Sequence, residues 1–146
     1  MKLITPILAA LMLFAVQARA QQQFTSTAPG APSRTSSWLA FPGGTAIVFS
    51  RATAETTNPT GVAGTLSNFQ CSTQGALLGY FDYHVEKNGT WDPGFPSCTI
   101  GPGGNSCVNN LDPLHIVATD KLDLWLQPGG LGGGDALTCT ATFTAD

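Results

Sequence analysis

LHIVATDKLDLWLQ, residues 114–127, can be read in two ways, and the choice decides the fold class. As a helix, it places Leu114, Val117, Ala118, Leu122 and Trp125 on one face, with Asp112-Pro113 as a start and Pro128-Gly129 as a stop. That reading leaves Ile116, Leu124 and Leu126 off the face. As strands, Leu122, Leu124 and Leu126 alternate with Lys121, Asp123 and Trp125. Two short strands meeting around Thr119-Asp120 then bury more of these residues on one side. The strand reading is favoured, and it turns Trp125 away from the leucines.

The rest of the chain agrees with strands. Residues 78–86, LGYFDYHVE, send Phe81, Tyr83 and Val85 to one face and Asp82, His84 and Glu86 to the other. Asn88-Gly89 follows, a pair that tolerates the positive φ angles of a type I′ hairpin turn. Residues 136–145 alternate Cys139, Ala141 and Phe143 with Thr138, Thr140, Thr142 and Thr144, a half-buried strand with threonine on its solvent face. Residues 45–51 (TAIVFSR) and 64–71 (GTLSNFQC) are further β-type runs between turn residues. The expectation is an all-β antiparallel sandwich over residues 45–146.

Two segments precede that domain. Lys2, an apolar run over residues 3–16, and Ala18-Arg19-Ala20 have the layout of a secretory signal peptide, residues 1–20, cut before Gln21. Residues 21–44 are rich in Pro, Ser, Thr and Gly and read as an extended N-terminal arm. Phe24, Trp38, Leu39 and Phe41 interrupt its polarity. They either cover the domain's own edge or add a strand to another copy of the chain. Removal of the signal leaves Arg34, Arg51, Lys87 and Lys121 to face nine acidic residues, so the exported chain is more acidic than the net −3 of the whole. Without a basic cluster, nucleic acid is not an expected partner. No segment beyond the signal approaches the roughly 20 apolar residues that span a bilayer. The expected location is the periplasm or the cell exterior.

Export changes the reading of the cysteines, because disulfides persist in oxidising compartments. Cys98 and Cys107 flank the turn-forming Gly101-Pro102-Gly103-Gly104, which can lay the two flanking segments antiparallel and bring the sulfurs together. Cys71 then pairs with Cys139. Chain entropy gives roughly 3 kcal/mol for the short loop and roughly 4–5 kcal/mol for the long one. The spacings lack the paired knuckle of a zinc site.

The chemistry-bearing residues are few. No nucleophile elbow, zinc-protease motif or phosphate-cradling glycine loop is present, so neither an enzyme nor a cofactor is expected. His84, between Asp82 and Glu86 on one strand face, could form half of an acid–base or metal site, although a solvated polar face explains it as well. His115 reads as a surface residue. Asp112, Asp120, Asp123 and Asp135 are the loop acids that calcium would use, at spacings that match no EF-hand. Asn88-Gly89-Thr90 has the form of a glycosylation acceptor, which its turn role already accounts for. Trp91, just past a hairpin tip, and Trp125, off the leucine face, are the candidate binding residues, because exposed rings stack on sugars or anchor protein contacts.

GTLSNFQC, the strand ending in VEKNGT, LHIVATDKLDLWLQPGG and the terminal ALTCTATF together span residues 64–143. In strand-and-turn order they resemble the jelly-roll modules of bacterial and phage surface proteins, which are broadly similar to TNF/C1q-like β-sandwiches. The resemblance implies a jelly-roll fold and a role in surface coats, fibres or adhesion. It carries no site residues. The expected function is therefore a secreted, non-enzymatic structural or adhesive subunit of an extracellular surface, matrix or fibre. Its partners would be other copies through the arm, or surface glycans and proteins. The alternative is a monomeric glycan- or protein-binding module; a small secreted hydrolase is a third, weaker reading.

Overall fold

The computed structural model describes residues 21–30, 35–129 and 136–146; the signal-peptide reading of residues 1–20 falls outside them. In chain order the elements are β1 (Gln21–Ala28), β2 (Ser37–Ala40), β3 (Ile47–Val48), the single-turn α1 (Arg51–Ala54) and β4 (Thr56–Thr57). They continue with β5 (Gly64–Thr73), β6 (Phe81–Lys87), β7 (Ser97–Ile100), β8 (Ser106–Asn109), β9 (Leu114–Ile116), β10 (Lys121–Pro128) and β11 (Leu137–Ala145). Among the described residues they form two antiparallel sheets. Sheet A runs β1-β11-β5-β8, with β9 also on β5; sheet B runs β3-β2-β10-β6-β7, with β4 also on β10.

The inner faces are the period-two positions read from the sequence. Leu122, Leu124 and Leu126 of β10 and Phe81, Tyr83 and Val85 of β6 face Leu66 and Phe69 of β5 and Cys139, Ala141 and Phe143 of β11. The 114–127 stretch is strand, turn, strand. Asp120 closes the turn by accepting the Val117 N–H at 2.9 Å on its carboxylate. A β-bulge, with Asn68 at φ 51°, shifts the register between β5 and β11.

Residues 21–44 are not a free arm. β1 pairs with β11 along its whole length, and its inward residues Phe24, Ser26 and Ala28 sit opposite Ala141, Cys139 and Leu137. Phe24 stacks on Phe143 with ring centroids 5.3 Å apart and meets Phe41 edge-on at 6.1 Å. Ser26 fastens the crossing from sheet A to sheet B: its hydroxyl donates to the Ala40 carbonyl at 2.6 Å and accepts the Gly44 N–H at 3.2 Å. Phe24, Leu39 and Phe41 therefore belong to the chain's own core, while Trp38 lies on the opposite face of β2. The polarity of β1 reflects an outer sheet face rather than disorder.

Two further expectations need correction. Of residues 45–51, only Ile47 and Val48 form a strand; the chain then turns into α1. The segments around Cys98 and Cys107 do not pair as a hairpin, because β7 bonds β6 in sheet B and β8 bonds β5 in sheet A. The Cys98–Cys107 disulfide thus joins the two sheets, while Cys71–Cys139 links adjacent strands of sheet A.

Candidate functional site

The outer face of sheet B gathers the chemistry. Register places Trp38, Trp125 and His84 side by side across β2, β10 and β6. The next row holds Ala40, Asp123 and Glu86, and the row on the other side holds Gln127, Asp82 and Thr99. Alternation along three neighbouring strands is enough to produce this face, since every second residue points away from the core.

Trp91 joins it through the β6–β7 connection. Asn88 and Gly89 take φ 54° and 70°, and the Lys87–Thr90 bridge closes the turn. The chain then leaves the ladder, returning only where Val85 N–H donates to the Pro96 carbonyl. The intervening loop carries Trp91 back over the sheet, where its ring meets His84 edge-on at 4.9 Å. His84 also lies 5.2 Å from the Trp125 ring. Trp91 and Trp125, the two candidate binding residues, thus both meet His84. Trp91 remains 37% exposed. Burial holds the His84 pKa below its ordinary value, with Asp82 and Glu86 pulling the other way, so the imidazole is neutral at pH 7.

Beside the rings lies a carboxyl pair. Glu86 is 2% exposed and Asp123 1% exposed, directly opposite each other on β6 and β10. Glu86 is well supplied with donors. Its Oε2 accepts Trp38 Nε1 and Arg51 Nε, both at 3.0 Å, and its Oε1 accepts Arg51 Nη2 at 3.3 Å. Arg51 also donates through Nη1 to the Gly89 carbonyl at 2.6 Å and lies over the Trp38 ring. Neither Asp123 oxygen receives a donor from the described groups. Burial, and then the charge and hydrogen bonding of Glu86, push its pKa up to about 8 against the pull of Arg51. A carboxyl raised so far favours its protonated form at neutral pH, facing Glu86.

The other candidates separate. His115 is exposed and pairs with Asp146 at 3.0 Å, far from His84 in the register. Of the possible calcium ligands, Asp112 is bound by Asn109, Asp120 by Asn88 and Val117, and Asp123 faces Glu86; Asp135 lies outside the described residues. Among the described residues no three His, Cys, Asp or Glu side chains converge as a metal would require. The Asn88 side chain, in form a glycosylation acceptor, is occupied: it donates to Asp120 at 2.7 Å and accepts the Lys121 N–H at 2.9 Å. On the outer face of sheet A, Gln70, Ser72, Ser106, Thr138 and Thr140 line a hollow of roughly 180 Å³. That is small beside the several hundred Å³ of ordinary ligand pockets.

Sequence reading missed Arg51, Glu86 and Asp123 as a unit. Glu86 and Asp123 each occupy an outward position of an alternating strand, but only the register shows that they face one another. No protein-family model matches the chain, and no curated protein is significantly similar to it.

Proposed function

We propose that the chain is a secreted, non-enzymatic adhesive module of jelly-roll type that recognises surface saccharides through the Trp91–His84–Trp125 face of sheet B. The nested pairing of strands supports the jelly-roll reading. β1 pairs with β11, β2 with β10, β5 with β8 and β9, and β6 with β7, so a folded-over ribbon is wound into two sheets. The resemblance of residues 64–143 to TNF/C1q-like modules points the same way, and two disulfides suit an oxidising exterior. No helix among the described residues is long and apolar enough to cross a membrane.

One observation carries the choice of ligand: two tryptophan rings meet one imidazole on the outer sheet face, with Asp82, Thr99 and Gln127 in the adjoining row. Aromatic faces take the C–H side of a sugar ring, while carboxylate, hydroxyl and amide groups bond its hydroxyls. The neighbouring carboxyl pair is sealed from solvent, which favours recognition over catalysis. The test is a glycan array probed with the mature protein and with Trp91→Ala and Trp125→Ala. Each variant should lose at least tenfold in signal on whichever glycans bind; a blank array for the native protein removes the reading.

A second reading, self-association as a structural subunit, is favoured by the outer face of sheet A. There β1 presents Gln21, Gln23, Thr25 and Thr27 beside the threonines of β11, with no charged side chain in either strand. In an acidic chain such a neutral face is where two copies repel least. Light scattering on the mature protein distinguishes a monomer from an assembly.

A further inference from the structure

We propose that residues 49–55 form a proton-held strap over the outer face of sheet B: a protonated Asp123 keeps the strap closed, and loss of that proton lifts it, uncovering Trp38 and the carboxyl pair. The strap stands on its own geometry; only its consequence for ligand affinity rests on the recognition reading above.

The strap is pinned at both ends and lightly held in between. β3 fixes one end to β2, and β4 fixes the other to β10. Between them α1 packs on β2 and β10, yet within residues 49–55 only Ala54 is buried, while Phe49 is exposed. Its main fastening is Arg51, which reaches Glu86, the Gly89 carbonyl and the Trp38 ring. Glu55 adds one exposed ion pair to Lys121 at 3.3 Å. Segments with so few buried apolar contacts open with a fraction of the global unfolding free energy.

Beneath the strap, Asp123 is more than nine-tenths buried, lacks any donor among the described groups and faces a carboxylate. The groups around it are Glu86 from β6, Arg51 and Glu55 from the strap side, Lys121 farther along β10, and His84 two residues from Glu86; β2 contributes only Trp38 and Ala40. One guanidinium cannot neutralise two carboxylates, and a buried anion without donors is costly. The closed state therefore retains the Asp123 proton, whereas an open state, in which water relieves the burial that is the largest cause of its raised pKa, releases it at lower pH even with Glu86 still opposite. By linkage, raising the pH favours the state that holds fewer protons, here the open one. Opening would extend the aromatic row from Trp125 to Trp38 and free Arg51.

Hydrogen exchange on the mature protein between pH 5 and pH 9, corrected for intrinsic rates, tests the strap without any ligand. The amides of Thr53 and Glu55, bonded to Ser50 and Arg51, report on it, and those of β5 and β11 report on the core. Opening of the strap should rise up to about tenfold per pH unit below pH 8, the limit for one linked proton, and should respond little to added urea, whereas the core amides, whose global unfolding releases the same proton, carry the full urea dependence. In Asp123→Asn the strap slope should vanish. A flat strap in the native protein overturns the proposal, as does an unchanged slope in the variant. Strap amides that carry the same urea dependence as the core also overturn it, since the event would then be global unfolding. A strap slope together with a blank glycan array would remove the recognition reading and leave the strap standing.

Discussion

Asp120 and Asp123 stand three residues apart on one turn and strand, and their surroundings drive them in opposite directions. Burial alone would raise Asp120, but the Val117 N–H, the Asn88 amide and Lys87 outweigh it and hold its carboxyl below the usual range. Asp123 is raised by burial and then by Glu86, with no donor to it among the described groups. The signs follow. Asp120 contributes stability above the ordinary carboxylate pKa and loses it as pH falls through its depressed value. Asp123, its proton retained in the fold, favours the native state most in acid, and that advantage drains between about pH 4 and about pH 8. Nothing in the sequence separates the two, which both read as possible calcium ligands. The deciding donors come from other elements, Asn88 among them. Asn88 itself looked like a turn former alone. Asn88→Gly keeps the positive φ and removes only the side chain, so the turn role predicts no loss. The two hydrogen bonds predict a loss of about 1–3 kcal/mol in urea unfolding, with a shallower acid dependence as Asp120 is released. A loss below about 0.5 kcal/mol would leave Asn88 a turn residue and nothing more.

At the scale of elements, alternation was legible wherever the inward side chains are large, and weak where they are small. β6, β10 and β11 carry Phe, Tyr, Leu and Val inward, and their faces could be read directly. β1 turns Phe24, Ser26 and Ala28 inward, and only the first of these looks apolar enough to register as a core position. Its partners Cys139 and Ala141 are small as well, so the volumes complement each other across a contact no single strand reveals. β7 and β8 show a different limit, for a glycine loop between two cysteines says that the sulfurs can meet, not whether the strands share a sheet. The two disulfides should differ in effect. Cys98–Cys107 spans 9 residues and Cys71–Cys139 spans 68, so loop entropy assigns about 3 and about 4 kcal/mol to them. Paired Cys→Ala variants followed by urea unfolding should show the larger loss for the long loop. The reverse order would mean that fastening sheet to sheet matters more than the length of chain enclosed.

For the whole molecule, the decisive contact is between its first and last described strands. β1 lies along β11, Phe24 stacks on Phe143, and the β1–β2 crossing carries Leu39 and Phe41 into the core of the other sheet. A free arm and an integral strand make opposite predictions for a deletion of residues 21–30. If the segment were an arm, its loss would leave the melting temperature of the domain unchanged and remove only contacts between copies. As an integral strand, its loss strips a phenylalanine and a stacked ring pair from the core, which costs about 3–5 kcal/mol for the phenylalanine alone. It also bares the full edge of β11, whose unpaired backbone groups would accept a strand from another molecule. The truncated protein should therefore melt at least 10 °C lower, or fail to fold, and should aggregate where the intact protein does not. Thermal unfolding followed by circular dichroism, with light scattering on the same samples, separates the cases. An unchanged melting temperature with a smaller particle would return the segment to the role of an assembly arm. A lower one with a larger particle places it within the fold, and self-association would then have to proceed through a finished surface such as the neutral face of sheet A.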